Sequence, residues 1–345
     1  MLRKMLDALL LPALREKKEM LDTLLREEYG FLPPEPDSIG WTESVVTENF
    51  CAGKARQIRV DINTEIYGER FTFPVLAAIP KKDGRYPFFI HISFKNEETD
   101  KYMPVEEIID SGYAVLSFCY KDVTSDDGDF TNGLAGVITR HQPRGAHTAG
   151  KIAMWAWAAQ RVLDYAYTVA ALDKELAVVC GHSRLGKTAL LSAATDQRFK
   201  FAYSNNSGCS GAALSRGTRG ETVKDICRVF PFWFCENYQK YADNEQNMPF
   251  DQHYLIASIA PRYVYVASAK EDAWADPECE FLTCVAASEV YEKYGKEGFV
   301  CDGRLPVADD VYHRGSIGYH LRHGTHYFSR EDWNKAIDFI NSKRY

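Results

Sequence analysis

No C-x-x-C pair occurs among the nine cysteines, which are scattered singly as Cys51, Cys119, Cys180, Cys209, Cys227, Cys235, Cys279, Cys284 and Cys301. That spacing excludes zinc knuckles and thioredoxin-type motifs. Their odd number and apolar neighbours predict reduced thiols, as in a cytosolic protein. Excess positive charge is also missing. With a formal net charge of -7, the chain lacks the basic footprint by which a protein holds nucleic acid. No apolar run approaches the length of a membrane span. The N-terminal stretch "MLRKMLDALLLPALREKKEM" is interrupted by Asp7 and has no small-residue cleavage site after it, so it reads as an amphipathic helix rather than an export signal. The expectation is a cytoplasmic protein with no nucleic-acid or membrane partner. Internal repeats and low-complexity tracts are absent too.

What is present is core material: 46% hydrophobic and 13% aromatic residues in 345, enough for one large domain. Residues 1–40 read as a helical arm closed by the prolines of "YGFLPPEPDS", and residues 41–345 as the main domain. "QIRVDINTEIYG" and "ERFTFPVLAAIP" alternate apolar and polar residues across a turn and predict an antiparallel pair, with "YPFFIHISF" as a third strand. From "YAVLSFCY" onward, apolar strands ("AVVCGHS", "KFAYSNNS", "RYVYVASA", "SIGYHLR") alternate with helical stretches near 148–170, 187–196, 281–294 and 331–343. This rhythm predicts a mostly parallel sheet of about eight strands covered on both faces, the architecture of an α/β-hydrolase. Long polar, Gly-containing stretches at 121–147 and 207–250 are the natural carriers of function.

One loop has two incompatible readings. Gly181-His-Ser-Arg-Leu-Gly186-Lys187-Thr188 satisfies the phosphate-loop pattern G-x-x-x-x-G-K-[ST], and it also sets Ser183 at a strand-to-helix turn, as in a nucleophile elbow. The phosphate reading needs an Asp at the end of a second strand to hold magnesium, and Asp272 is separated from its apolar run by several residues. The nucleophile reading needs an acid and then a histidine, each after a later strand. Asp272 follows "YVYVASAKE" and His326 follows "IGYHLRHGT". The order Ser183, Asp272, His326 favours the nucleophile, because a serine hydroxyl reacts only when an imidazole takes its proton and a carboxylate steadies the imidazolium. Glu271 and Asp276 compete for the acid, and His320 and His323 for the base. The second glycine comes one residue later than in the usual G-x-S-x-G.

That departure coincides with a family resemblance. "GHSRLGK" is similar to the G-x-S-R-x-G-K elbow of the glucuronoyl esterases, carbohydrate esterase family 15. The similarity extends through "AGKIAMWAWAAQRVLDY", "NNSGCSGAALSRGTRGETV", "FPFWFCENY", "MPFDQHYLIASIAPRYVYVASAKEDAWADPECEF" and "IGYHLRHGTHYFSREDW", over residues 145–340. The resemblance implies an α/β-hydrolase that cleaves esters between 4-O-methylglucuronic acid of xylan and an alcohol of lignin, without metal or organic cofactor. It implies Ser183 as nucleophile, His326 as general base and then acid, and Arg184 as oxyanion support together with its backbone N–H. Lys187, Glu221 and Trp274 would contact the sugar. Fungal members carry their acid as Glu in an "ESG" segment, where this chain has Asn206. An amide carries no charge, and the resemblance to bacterial relatives implies that the acid follows the seventh strand, at Asp272, with Asp276 second.

Simpler roles are expected elsewhere. Trp155, Trp157 and Trp233 read as packing, His320 as structural and His182 as a polar contact under the elbow. The second oxyanion donor is expected near Ser93 to Lys95 without being assigned. Two other functions fit the same residues: an acetyl esterase of xylo-oligosaccharides, and a catalytically silent hydrolase-fold binding module. Either way the partner is a small-molecule or oligosaccharide ester. Oligomeric state is not legible.

Overall fold

Tyr67 and Gly68 both have positive φ, 55° and 75°, and they close a two-residue turn of the kind that matches the twist of a hairpin. The turn joins β2 (Ala55–Ile66) to β3 (Glu69–Pro80), with Ile66 opposite Glu69. In β2 the inward residues Ile58, Val60 and Ile62 are buried and alternate with more exposed neighbours, which fixes register because a one-residue slip would reverse the two faces. The computed structural model describes residues 1–97 and 99–344.

Among the described residues ten strands form one sheet. The others are β1 (Ser38–Phe50), β4 (Tyr86–Ser93), β5 (Ala114–Cys119), β6 (Leu172–His182), β7 (Phe201–Asn205), β8 (Tyr263–Ala269), β9 (Val311–Tyr312) and β10 (Ile317–Arg322). Their order is β1-β2-β3-β5-β4-β6-β7-β8-β10-β9. Pairings from β1 through β3 to β5 are antiparallel, those from β5 through β4, β6, β7 and β8 to β10 are parallel, and β9 returns antiparallel at the far edge. The count is ten rather than eight because both edges gain a strand. β1 is exposed along most of its length and so has no apolar alternation to reveal it. β9 is only two residues long.

The parallel centre is apolar on both faces. Val178 and Cys180 of β6, Phe201 and Tyr203 of β7, and Tyr265 of β8 pack with Trp333, Ile337 and Phe339 of the helix Arg330–Asn341. Val179, Ala202, Val264 and Val266 face the opposite core, with the helices Lys151–Ala166, Arg184–Thr195 and Pro277–Glu292. This is the period-two alternation of strands covered on both sides.

The N-terminal arm, with helices Leu2–Leu9 and Lys17–Leu24, shares that second core through Leu2, Met20 and Leu24. Hydrogen bonds pin it: Tyr254 donates to the Ala13 carbonyl at 2.6 Å and Tyr29 to that of Ser210 at 2.6 Å. β1 begins at Ser38, two residues before the boundary at 40 drawn from the sequence. Among the described residues no helix is long and apolar enough to cross a membrane, and all nine cysteines are free thiols.

Candidate active site

At the end of β6 the chain reverses into the helix Arg184–Thr195 through Ser183, whose φ of 58° and ψ of -127° lie where a residue with a Cβ is strained. Strain of this kind costs about 1–3 kcal/mol and persists only when the surroundings hold it. Here Ser183 donates its backbone N–H to the Asn205 carbonyl at 2.9 Å, while its own carbonyl accepts from Gly186 at 2.8 Å and Lys187 at 3.2 Å. Both glycines sit in crowded places, Gly181 the more so. A Cβ on Gly181 would lie 2.3 Å from the Leu185 carbonyl oxygen, and one on Gly186 would meet Ser204 Oγ at 2.9 Å and Ser207 Cβ at 3.0 Å. The late glycine is thus the place where the helix rests against the end of β7.

Two later strand ends meet this elbow. Asp272, three residues past β8, places Oδ2 2.6 Å from Nδ1 of His326, which follows β10. Asn206 Nδ2 donates to the same oxygen at 2.8 Å, and the Ala275 amide donates to Oδ1 at 3.4 Å. Burial would raise the Asp272 carboxyl, but the hydrogen bond and charge of His326, the Asn206 amide and the Ala275 N–H outweigh it and hold it below its usual value. With Nδ1 committed to the carboxylate, Nε2 is the nitrogen of His326 left for a reacting group. His326 and Ser183 line one cavity of about 330 Å³, together with His91, Ile92, Phe94, Lys95, Tyr102, His182, Arg184 and Phe328.

The competing residues are engaged elsewhere. His320 is buried between Asp332 at 2.8 Å and the Tyr265 hydroxyl at 2.8 Å. His323 lies 3.6 Å from Glu271 and 3.7 Å from Asp309 on the surface. Asp276 caps the helix Pro277–Glu292 by accepting from the Cys279 N–H at 3.1 Å. Glu271 accepts from the Gly324 amide. His182 sits under His326 with ring centroids 4.4 Å apart, its Nδ1 2.6 Å from Asn205 Oδ1. Burial, and then the neighbouring His326, push His182 down to about 3, so it is neutral near pH 7. His91, on the same cavity wall, is likewise pushed down to about 3 by burial and then by His182.

Arg184 reaches sideways, through Nη1, to Oδ2 of Asp126. Its guanidinium lies 4.6 Å from the ring centre of Trp233 and 5.3 Å from that of Phe230, two rings stacked 3.8 Å apart. Trp233 Nε1 in turn donates to Asp126 Oδ1 at 2.7 Å. Trp233 packs in the core, as read from sequence, and in addition bonds Asp126, a residue the sequence reading missed altogether.

Lys187, one turn beyond Ser183, is buried and donates Nζ to the carbonyls of Ser207, at 2.6 Å, and Cys209, with Glu221 Oε2 3.8 Å away. A phosphate loop would need that ammonium aimed at its ligand. Glu221 binds the Trp274 carbonyl through its backbone N–H at 2.9 Å, and the Trp274 side chain is 56% exposed. None of these three lines the Ser183 cavity. In the expected second oxyanion region, the Lys95 amide donates to Ser93 Oγ at 3.1 Å. Among the described residues no group of three or more His, Cys, Asp or Glu side chains could hold a metal ion.

A nucleophile elbow at the centre of a mostly parallel sheet, with an Asp–His pair from two later strand ends, defines the molecule as an α/β-hydrolase. The family model for fungal glucuronyl esterase matches residues 62–295, and the chain belongs to the glucuronoyl esterase family, carbohydrate esterase family 15. Carbohydrate esterase MZ0003 from an unknown prokaryotic organism is 40% identical over 239 residues, 69% of this chain and 55% of that protein. The 4-O-methyl-glucuronoyl methylesterase of Podospora anserina is 27% identical over 271 residues, 75% of this chain and 51% of its own. The chain thus spans just over half the length of the curated relatives it matches. Among solved structures, a glucuronoyl esterase from Solibacter usitatus superposes with a TM-score of 0.87 at 30% identity, covering 96% of this chain and 93% of that one. A promiscuous esterase of the same family from a marine bacterial metagenome gives 0.84 at 32%, covering 94% and 90%.

Proposed function

We propose that the protein hydrolyses glucuronoyl esters, including 4-O-methylglucuronoyl esters, of xylan-derived saccharides through an acyl-enzyme on Ser183. The observation that carries this reading is the 2.6 Å pairing of Asp272 with Nδ1 of His326, whose ring lines the same cavity as Ser183. Ser183 Oγ attacks the ester carbonyl while His326 Nε2 takes its proton. The tetrahedral oxyanion is stabilised by Arg184 and by the first N–H of the helix, and its collapse expels the alcohol, which receives the proton from His326. Water, activated by His326, then releases the uronic acid and restores Ser183. Lys187, Glu221 and Trp274, which lie outside the lining of the Ser183 cavity, are assigned to the sugar on the family resemblance: a carboxylate accepts hydroxyl protons, and an exposed indole offers a face to the ring. The relatives' names support the uronate class.

Hydrolysis of benzyl glucuronate beside an acetylated xylo-oligosaccharide, by wild type and Ser183→Ala, tests the reading. Uronate-ester cleavage lost in the variant is the expected result. Ser183-dependent acetate release alone would keep the triad and replace the substrate. Absence of both reactions, with no labelling by a fluorophosphonate, would leave a silent binding module.

A further inference from the structure

We infer that Asp126 is a positioning residue for catalysis, holding the Arg184 guanidinium at the oxyanion side of Ser183; the inference rests on the reading of Arg184 proposed above. Asp126 lies in the loop after β5, 58 residues before Arg184 in the chain. Its carboxylate accepts from three side chains: Arg184 Nη1 and the Tyr120 hydroxyl on Oδ2, the latter at 2.7 Å, and Trp233 Nε1 on Oδ1 at 2.7 Å. The carboxylate is almost wholly buried, 8% exposed against 24% for the Arg184 side chain.

This geometry does more than neutralise a buried charge. A cation in the first turn of a helix opposes the helix dipole, and Arg184 is the first residue after Ser183. A flexible guanidinium there would swing toward solvent or across the cavity. Asp126 binds one end of it, and the Phe230–Trp233 stack covers one side, so the remaining donors are confined beside the cavity. Among the described residues Nη1 is the one Arg184 donor with a protein acceptor, and Arg184 Nε is buried without one. Trp233 acts twice, as platform for the cation and as donor to its anchor. Preorganisation of this kind matters because a donor that must reorient during the reaction loses much of its worth.

The test is kinetic, with benzyl glucuronate as substrate. Asp126→Asn keeps an acceptor for Trp233 and removes the charge. We expect kcat to fall about 10- to 100-fold, the scale of a weakened oxyanion donor, with KM within about twofold. In an Arg184→Ala background the same change should cost less than about twofold more, because there is no guanidinium left to hold. Multiplying losses would mean that Asp126 merely supports its loop, and would overturn the assignment. So would an Asp126→Asn enzyme of full activity alongside a crippled Arg184→Ala. An Arg184→Ala enzyme with unchanged kcat would sink the reading of Arg184 and this inference together, whereas Ser183 would still be judged by its own variant. Should Asp126→Asn fail to fold, Trp233→Phe and Tyr120→Phe each remove one hydrogen bond to the carboxylate. Each should lower kcat by less than about tenfold, below the loss expected for removing the whole anchor, and lose its effect in the Arg184→Ala background; additive losses would again overturn the assignment.

Discussion

Asn206 donates to Asp272 Oδ2, the oxygen that His326 also binds. Where fungal relatives are expected to carry the acid itself, this chain keeps an amide that hydrogen-bonds an acid from the next strand end. Asp272→Asn should therefore lower kcat about 10³- to 10⁴-fold with little effect on KM, as loss of the triad charge does. Asn206→Gly, which tolerates the φ of 45° found there, should cost about tenfold or less, since the Asp272–His326 pair survives. Equal losses in the two variants would contradict this division of labour.

The same amide has a consequence for acid stability. The Asp272 carboxyl is held below its usual value, so the folded state binds fewer protons there than the unfolded one. That contribution is complete above the unfolded pKa and is lost as pH falls through the folded one. Asn206→Gly removes one of the groups that lower it and should move the acid-unfolding midpoint to higher pH. An unshifted midpoint, followed by circular dichroism, would show that His326 and Ala275 suffice.

The late glycine of the elbow makes a graded prediction. Gly186→Ala meets Ser204 Oγ and Ser207 Cβ near 3 Å, contacts that yield by small shifts, whereas Gly181→Ala drives a methyl into the Leu185 carbonyl at 2.3 Å. We expect about 1–3 kcal/mol of destabilisation for Gly186→Ala, typical of overpacking, and more for Gly181→Ala. Urea unfolding of the two variants would check the order.

The elbow, the acid and the base were legible because each sits just beyond the C-terminal end of an apolar strand, and strands buried on both faces announce themselves as continuous apolar runs. β1 was not, since an edge strand exposed along most of its length carries no alternation. Asp126 was invisible for another reason. It is one of three acids in "SDDGD", and nothing local separates it from a solvated loop. The legible trace was on the other partner: Arg184, a cation where a helix start disfavours one, implied an anion nearby without naming it.

Lys187 and Trp274 should separate stability from recognition. Lys187 Nζ satisfies two buried carbonyls, of Ser207 and Cys209, so Lys187→Ala leaves them unpaired and should cost about 2–3 kcal/mol besides any effect on activity. Trp274 is more than half exposed. Its replacement by Ala should change stability by less than about 0.5 kcal/mol while raising KM for a glucuronate ester. An unchanged KM, with acetyl-ester kinetics equally untouched, would remove Trp274 from the sugar site.

Glu28 sets the alkaline side. It is wholly buried where the arm meets the main domain, and burial raises its carboxyl to about 8, with the Asp251 charge adding to the rise and the Gln252 and Ser210 hydrogen bonds opposing it. Between its ordinary value near 4.5 and about 8, the folded protein holds a proton that the unfolded chain has released. Stability therefore falls as pH rises through that window and levels off above it. Glu280, wholly buried and raised to about 7 chiefly by burial, adds a shorter decline of the same sign. Glu28→Gln retains an acceptor for Gln252 Nε2, which bonds the native carboxylate at 3.0 Å, and has nothing to titrate. Its melting temperature should drop less between pH 5 and pH 9 than that of the wild type, with the curves separating up to about pH 8 and running parallel above it. Curves parallel over the whole range would mean that the buried carboxyl is ionised throughout, compensated by Lys187 across the same polar core, and that the arm is indifferent to pH.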